Sequence, residues 1–120
     1  GKYILLAEDN MINAMVAKKL LSNWGIKTRH AKNGAEAFEM SKEELFDYIL
    51  LDIHMPEMDG FEAVKLIRDT NDINCKTPIF ALTADITVKN KEEYADYFND
   101  FLLKPIEKDK LYNSLKTFQK

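Results

Sequence analysis

The chain has 120 residues, 46% of them hydrophobic and 31% charged, with a net charge of −3. That size and balance suit one soluble globular domain with a real core, and they exclude a disordered segment. The slight acidity gives no electrostatic reason for direct contact with nucleic acid or an anionic membrane. One cysteine, Cys75, excludes an internal disulfide and a cysteine-rich zinc site, and no stretch reads as a signal peptide or membrane span.

In chain order, YILLA (3–7) reads as a strand and MINAMVAKKLLSNW (11–24) as a helix stopped by Gly25. IKTRH (26–30) alternates like an edge strand, GAEAFEMSKEEL (34–45) reads as a helix, and YILL (48–51) as a strand apolar on both faces. FEAVKLIRD (61–69) sets Phe61, Val64 and Ile67 on one helical face. PIFALT (78–83) is a strand, TVKNKEEYADYF (87–98) a polar helix, and DFLLK (100–104) a strand. EKDKLYNSLKTFQ (107–119) closes the chain as a helix with Leu111, Leu115 and Phe118 in register.

No repeat, linker or low-complexity tract interrupts this series, so residues 1–120 are read as one domain. Alternating strands and helices predict an α/β fold, a parallel sheet wrapped on both faces. The right-handed crossover rule leaves few topologies, among them the doubly wound order 2-1-3-4-5. Ligands of such sheets bind beyond the carboxyl ends of the strands.

The residues at those ends are chemically alike in purpose. AEDN ends the first strand with Glu8 and Asp9, the third ends at Asp52, LTA ends the fourth with Thr83, and LLKP ends the fifth with Lys104. In the expected order, three carboxylates, a hydroxyl and an ammonium share one cleft. Two carboxylates about 4 Å apart repel by roughly 4 kcal/mol at the effective dielectric of a protein surface. Cations must therefore intervene: Lys104 is one, and a divalent ion with oxygen ligands, Mg²⁺ above all, supplies the rest. Each residue alone has an ordinary explanation. Glu8 and Asp9 could cap the first helix, Asp52 could start a turn, Thr83 suits any strand, and Lys104 could be a surface lysine. One phosphoryl site explains all of them together with their positions.

Over nearly its full length the chain resembles the receiver domain of two-component response regulators. The resemblance rests on ILLAEDNMINAMVAKKLL, AKNGAEAFE, YILLDIHMPEMDGFEAV, PIFALTA and DFLLKPI, in family order and spacing. EDN followed by IN, together with ALTA, looks most like receivers of hybrid sensor histidine kinases. It implies a flavodoxin-like (βα)5 fold in which Asp52 accepts a phosphoryl group from phosphohistidine of a histidine kinase or phosphotransfer domain. It also implies Mg²⁺ held by Asp9, by Asp52, by the backbone carbonyl of His54, and by Glu8 largely through water. Thr83 and Lys104 would each contact a phosphoryl oxygen. The Lys104–Pro105 bond would be cis, and Phe101 would turn inward when Thr83 moves, switching a partner-binding surface.

Two features depart from the family pattern or vary within it. Tyr97 stands where such receivers usually carry a glycine, which puts the shape of that helix end in question. His54 and Asp85 flank the path of an attacking water and are expected to set phosphoryl lifetime. On the first helix, Val16 and Leu20 are expected to face the core, leaving Met11 and Met15 beside Asp9 as a docking face for a helical phosphodonor. The expected location is cytoplasmic, within a membrane-anchored hybrid kinase or free, and the 120 residues suggest a piece excised from a longer protein.

Three rival readings compete. A Mg²⁺-dependent phosphatase with an aspartyl nucleophile would want a second acid or base where His54 stands. A flavin nucleotide binder would want a phosphate-cradling loop where EDN stands. A receiver-shaped interaction protein that is never phosphorylated would not need all five cleft residues. The chain would count as an enzyme only in promoting its own phosphorylation and dephosphorylation.

Overall fold

Side-chain alternation divides the core into two layers. In a computed structural model that describes residues 2–55, 57–70, 73–84 and 96–118, the strands are β1 (Tyr3–Ala7), β2 (Lys27–Ala31), β3 (Tyr48–Asp52), β4 (Ile79–Thr83) and β5 (Asp100–Leu103). All neighbours pair in parallel in the order β2-β1-β3-β4-β5. β3 and β4 are buried at every position, as expected of strands covered on both faces. Leu5, Ile49, Leu51, Ile79 and Ala81 enter one apolar layer with Ala63, Val64 and Ile67. Ile4, Leu6, Leu50, Phe80 and Leu82 enter the other with Ala14, Ala17, Leu21, Leu111 and Leu115.

The helices are α1 (Met11–Asn23), α2 (Gly34–Glu43), α3 (Gly60–Thr70) and α4 (Lys108–Thr117). The helix expected at 87–98 lies outside the described residues except for its last three, as does Asp85. No helix among the described residues is long and apolar enough to cross a membrane.

Helix α1 starts at Asn10, whose Oδ1 accepts the Ile12 and Asn13 amides at 2.9 and 3.1 Å. It stops at Gly25 (φ 74°), where Ile26 N–H returns to the Leu21 carbonyl and Gly25 N–H to that of Ser22. The residues it turns to the core are Ala14, Ala17 and Leu21. Val16 is exposed and Leu20 only half-buried, which corrects the expected inward face by one residue, about 100° of rotation. Two alanines let the helix axis lie close to the sheet, and that outweighs burial of a single valine.

Helix α2 ends two residues short of its expected limit because Glu44 is extended. Buried Asn74, some thirty residues away, donates to the carbonyls of Ser41 (2.6 Å) and Glu44 (2.8 Å), and its Oδ1 accepts from Phe46 N–H (3.0 Å) and the Thr77 hydroxyl (2.9 Å). Arg68 does similar work elsewhere. Its guanidinium donates to the carbonyls of Tyr97, Cys75 and Thr77 and to Asn99 Oδ1, and burial pulls its pKa down. Among the described residues Glu57 is the non-glycine with positive φ, so Tyr97 is not left-handed and needs no glycine there.

Candidate functional site

Strands β1, β3 and β5 are each extended past their ends by one ladder hydrogen bond. Glu8 N–H donates to the Ala31 carbonyl (3.0 Å), Ile53 N–H to that of Leu82 (2.9 Å), and Lys104 N–H to that of Thr83 (2.7 Å). These bonds fix the backbones of the residues that follow the apolar runs. Glu8, Asp52 and Thr83 are thereby buried at the carboxyl edge of the sheet.

The charges meet there as the sequence predicts. Lys104 Nζ lies 2.8 Å from Asp52 Oδ2 and 3.9 Å from Glu8 Oε2, with the lysine 19% and the acids 1% and 2% exposed. The Lys104–Pro105 bond is cis. Oxygens of Glu8, Asp9 and Asp52 all come within 4.8 Å of one another, and of the three only Asp9 is exposed. His54 is exposed, and its amide donates to Asp52 Oδ1 at 3.0 Å, so Asp52 starts a turn as well as pairing with lysine. The first acids do not cap α1, because Asn10 does.

Glu8 carries the strain of the arrangement. Its Oε1 accepts from Asn13 Nδ2 at 3.1 Å, while buried Oε2 has no hydrogen-bond donor. Burial first, and then the closeness of the Asp52 carboxylate, pushes its carboxyl up to about 8 against the opposing pull of Asn13 and Lys104. An orphaned buried carboxylate oxygen beside two further carboxylates is the donor set a hard divalent cation prefers. The residues present fit Mg²⁺.

Glycine shapes the loop after β3. A side chain on Gly60 would meet the Asp52 carbonyl at 2.5 Å, and one on Gly34 would strike the Met58 carbonyl. The Gly60 amide donates to Ile53 and that of Gly34 to Met58, so both helix starts are drawn against the loop that follows Asp52.

Phe101 is half-buried, its ring 5.5 Å from Phe98, which lies 6.0 Å from Phe61. On α1, Met11 and Met15 are 59% and 65% exposed, and Ile12 and Val16 stand open beside them. A cleft lined by Val16, Asn13, Glu8, Lys104, Pro105 and Ile106 joins Val16 of this patch to Glu8.

The sequence reading missed Asn13 and His30, whose Nε2 lies 2.6 Å from the Glu8 carbonyl. Spacing could have pointed to Asn13, five residues on and at the start of the helix that follows Glu8. No local signal could have paired His30 with Glu8 across two strands.

Residues 4–116 match the pattern of the response regulator receiver domain family. The chain is a receiver domain. This receiver is 36% identical over 120 residues to the autoinducer 2 sensor kinase/phosphatase LuxQ of Vibrio vulnificus, an alignment covering 99% of the chain and 14% of that protein. It is 43% identical over 114 residues to hybrid signal transduction histidine kinase B of Dictyostelium discoideum, covering 86% of the chain and 6% of the relative. The receiver thus spans a small part of the length of the relatives it matches. Its fold is similar to the receiver domain of a Pseudomonas aeruginosa sensor histidine kinase, with TM-score 0.89 at 31% identity over 98% of this chain and 97% of that one. That crystal structure has a magnesium ion coordinated in its active-site cleft. As a receiver, the chain belongs with the phosphoacceptor domains of two-component systems.

Proposed function

We propose that this receiver accepts a phosphoryl group on Asp52 from phosphohistidine of a histidine kinase or phosphotransfer domain, in a Mg²⁺-dependent reaction. The observation that carries the reading is a buried aspartate ion-paired to Lys104 and clustered with two further acids at the sheet edge. An Asp52 oxygen forms the new bond to phosphorus as the phosphorus–nitrogen bond to histidine breaks, and the imidazole leaves with the electron pair. Such transfers pass through a loose, charge-spread state, so placement and electrostatics supply most of the catalysis. Lys104 offers a point charge to a phosphoryl oxygen, and the Thr83 hydroxyl takes another. Asp9, Asp52 and the His54 carbonyl would hold Mg²⁺, with Glu8 acting largely through water. The metal would neutralise oxygens that otherwise repel the incoming group.

Phe101 is the proposed reporter, moving further into the core as Thr83 is drawn toward the phosphoryl group. Its partly buried ring, tilted 58° against that of Phe98, supports that role. Met11 and Met15, exposed on α1 shortly after Asp9 in the chain, are the proposed docking face for a helical phosphodonor, because adaptable apolar side chains stand open to solvent there. We place the domain in the cytoplasm, either free or within a hybrid kinase anchored in the membrane, on the strength of its likeness to kinase-borne receivers.

Incubation with Mg²⁺ and a small acyl phosphate, followed by intact mass measurement, tests the central step. One phosphate adduct is expected on the wild type and none on Asp52→Ala. No adduct on the wild type, or an undiminished one on the variant, refutes it.

A further inference from the structure

Two bonds to β2 hold the backbone of Glu8. Its N–H donates to the Ala31 carbonyl at 3.0 Å, and its carbonyl oxygen lies 2.6 Å from His30 Nε2. A carbonyl can only accept, so in this bond Nε2 carries the hydrogen and donates. Both partners belong to β2, at the edge of the sheet, and neither is among the acids of the cleft. Asn13 meanwhile takes Oε1, leaving Oε2 as the oxygen turned toward Asp52 and Lys104. We infer that His30 is a positioning residue for divalent-cation binding, clamping the Glu8 peptide so that the first acidic pair meets Asp52. The inference rests on the reading of Glu8 and Asp9 as metal ligands.

The physical case is one of freedom removed before binding. Glu8 and Asp9 follow β1 directly, and beyond buried Glu8 the turn into α1 is exposed at Asp9 and Asn10. A short hydrogen bond to the peptide at its start restrains that turn. Partners of this outer kind commonly change metal affinity by about 10- to 100-fold when removed. Because the bond reaches a backbone atom through a half-buried surface ring, its loss is expected at the lower end of that range.

The test compares the wild type with His30→Phe, which keeps a ring and loses the donor, and His30→Gln, which keeps a donor amide near the position of Nε2. Mg²⁺ affinity is measured by calorimetry, the stability of the metal-free proteins by urea unfolding, and the tautomer by long-range nitrogen–proton spectra of the wild type. Mg²⁺ binding should weaken about tenfold in His30→Phe and stay within about twofold of the wild type in His30→Gln. The wild-type spectrum should show hydrogen on Nε2. Equal affinity in His30→Phe, an Nε2 that carries no hydrogen, or a parallel loss of affinity and urea stability in both variants would overturn the inference while leaving the metal site standing. A wild type that binds no Mg²⁺ overturns this inference and the metal reading beneath it together.

Discussion

Replacing Lys104 with methionine keeps the stem that lines the cleft and removes its charge. In the native protein the ammonium sits 2.8 Å from Asp52 and 3.9 Å from Glu8, both acids being almost fully buried. At an effective dielectric of 20 the closer contact is worth about 6 kcal/mol before desolvation. Breaking a fully buried pair typically costs about 3–5 kcal/mol, because one charge is left uncompensated. The lysine head keeps some solvent, so Lys104→Met is expected to lose about 2–3 kcal/mol without metal, a fall in Tm of about 10 °C for a domain of this size. Saturating Mg²⁺ should recover most of that gap, because the variant lacks the charge that competes with a cation at the same oxygens. The assay is thermal and urea unfolding of both proteins, with Mg²⁺ and with a chelator. A variant as stable as the wild type in chelator, or one that gains no more from Mg²⁺ than the wild type gains, would show that Lys104 does not balance these carboxylates.

Glu8 sets the pH dependence. Its carboxyl titrates near 8 in the fold against an ordinary 4.5, so the folded state keeps a proton that the unfolded chain has lost between those values. Metal-free stability should therefore decline as pH rises from about 4.5 toward 8, while Mg²⁺ affinity climbs over the same window as the ion displaces the proton; Glu8→Gln should flatten both curves in urea and calorimetric titrations. Asn74→Ala removes the Asn74 partner of two backbone carbonyls and the Phe46 amide, leaves the Thr77 hydroxyl only the Phe46 carbonyl, and should cost about 3 kcal/mol in urea unfolding while leaving the acidic cluster intact. Met15→Lys should slow phosphotransfer from a phosphohistidine donor by about tenfold, as loss of one well-packed interface side chain would. It should leave labelling by the small acyl phosphate unchanged; equal slowing in both assays would count against the docking face.

The candidate site was legible because its parts sit at the ends of apolar runs. A carboxylate after YILL and a lysine after DFLL mark where strands leave the core, and parallel topology sends those ends to one edge. The face of α3 set by Val64 and Ile67 and the register of Leu111 and Leu115 followed from periodicity, whereas the crossover rule left several strand orders open and the family resemblance selected 2-1-3-4-5 among them. Helix α1 resisted, because its sequence is apolar on two stripes and only the sheet beneath decides which is buried. Val16 lost that competition to the Ala14–Ala17–Leu21 stripe.

Sequence by itself determined the alternation of strands and helices and the identity of the charges gathered at the cleft, since local apolar patterning is written residue by residue. Tertiary structure alone decided that Asn10 rather than an acid caps α1, that Asn74 closes the end of α2, and that His30 and Asn13 hold Glu8 with one oxygen unpaired. Those bonds depend on which backbone groups the packed chain leaves unsatisfied, and no local pattern records that before the strands meet.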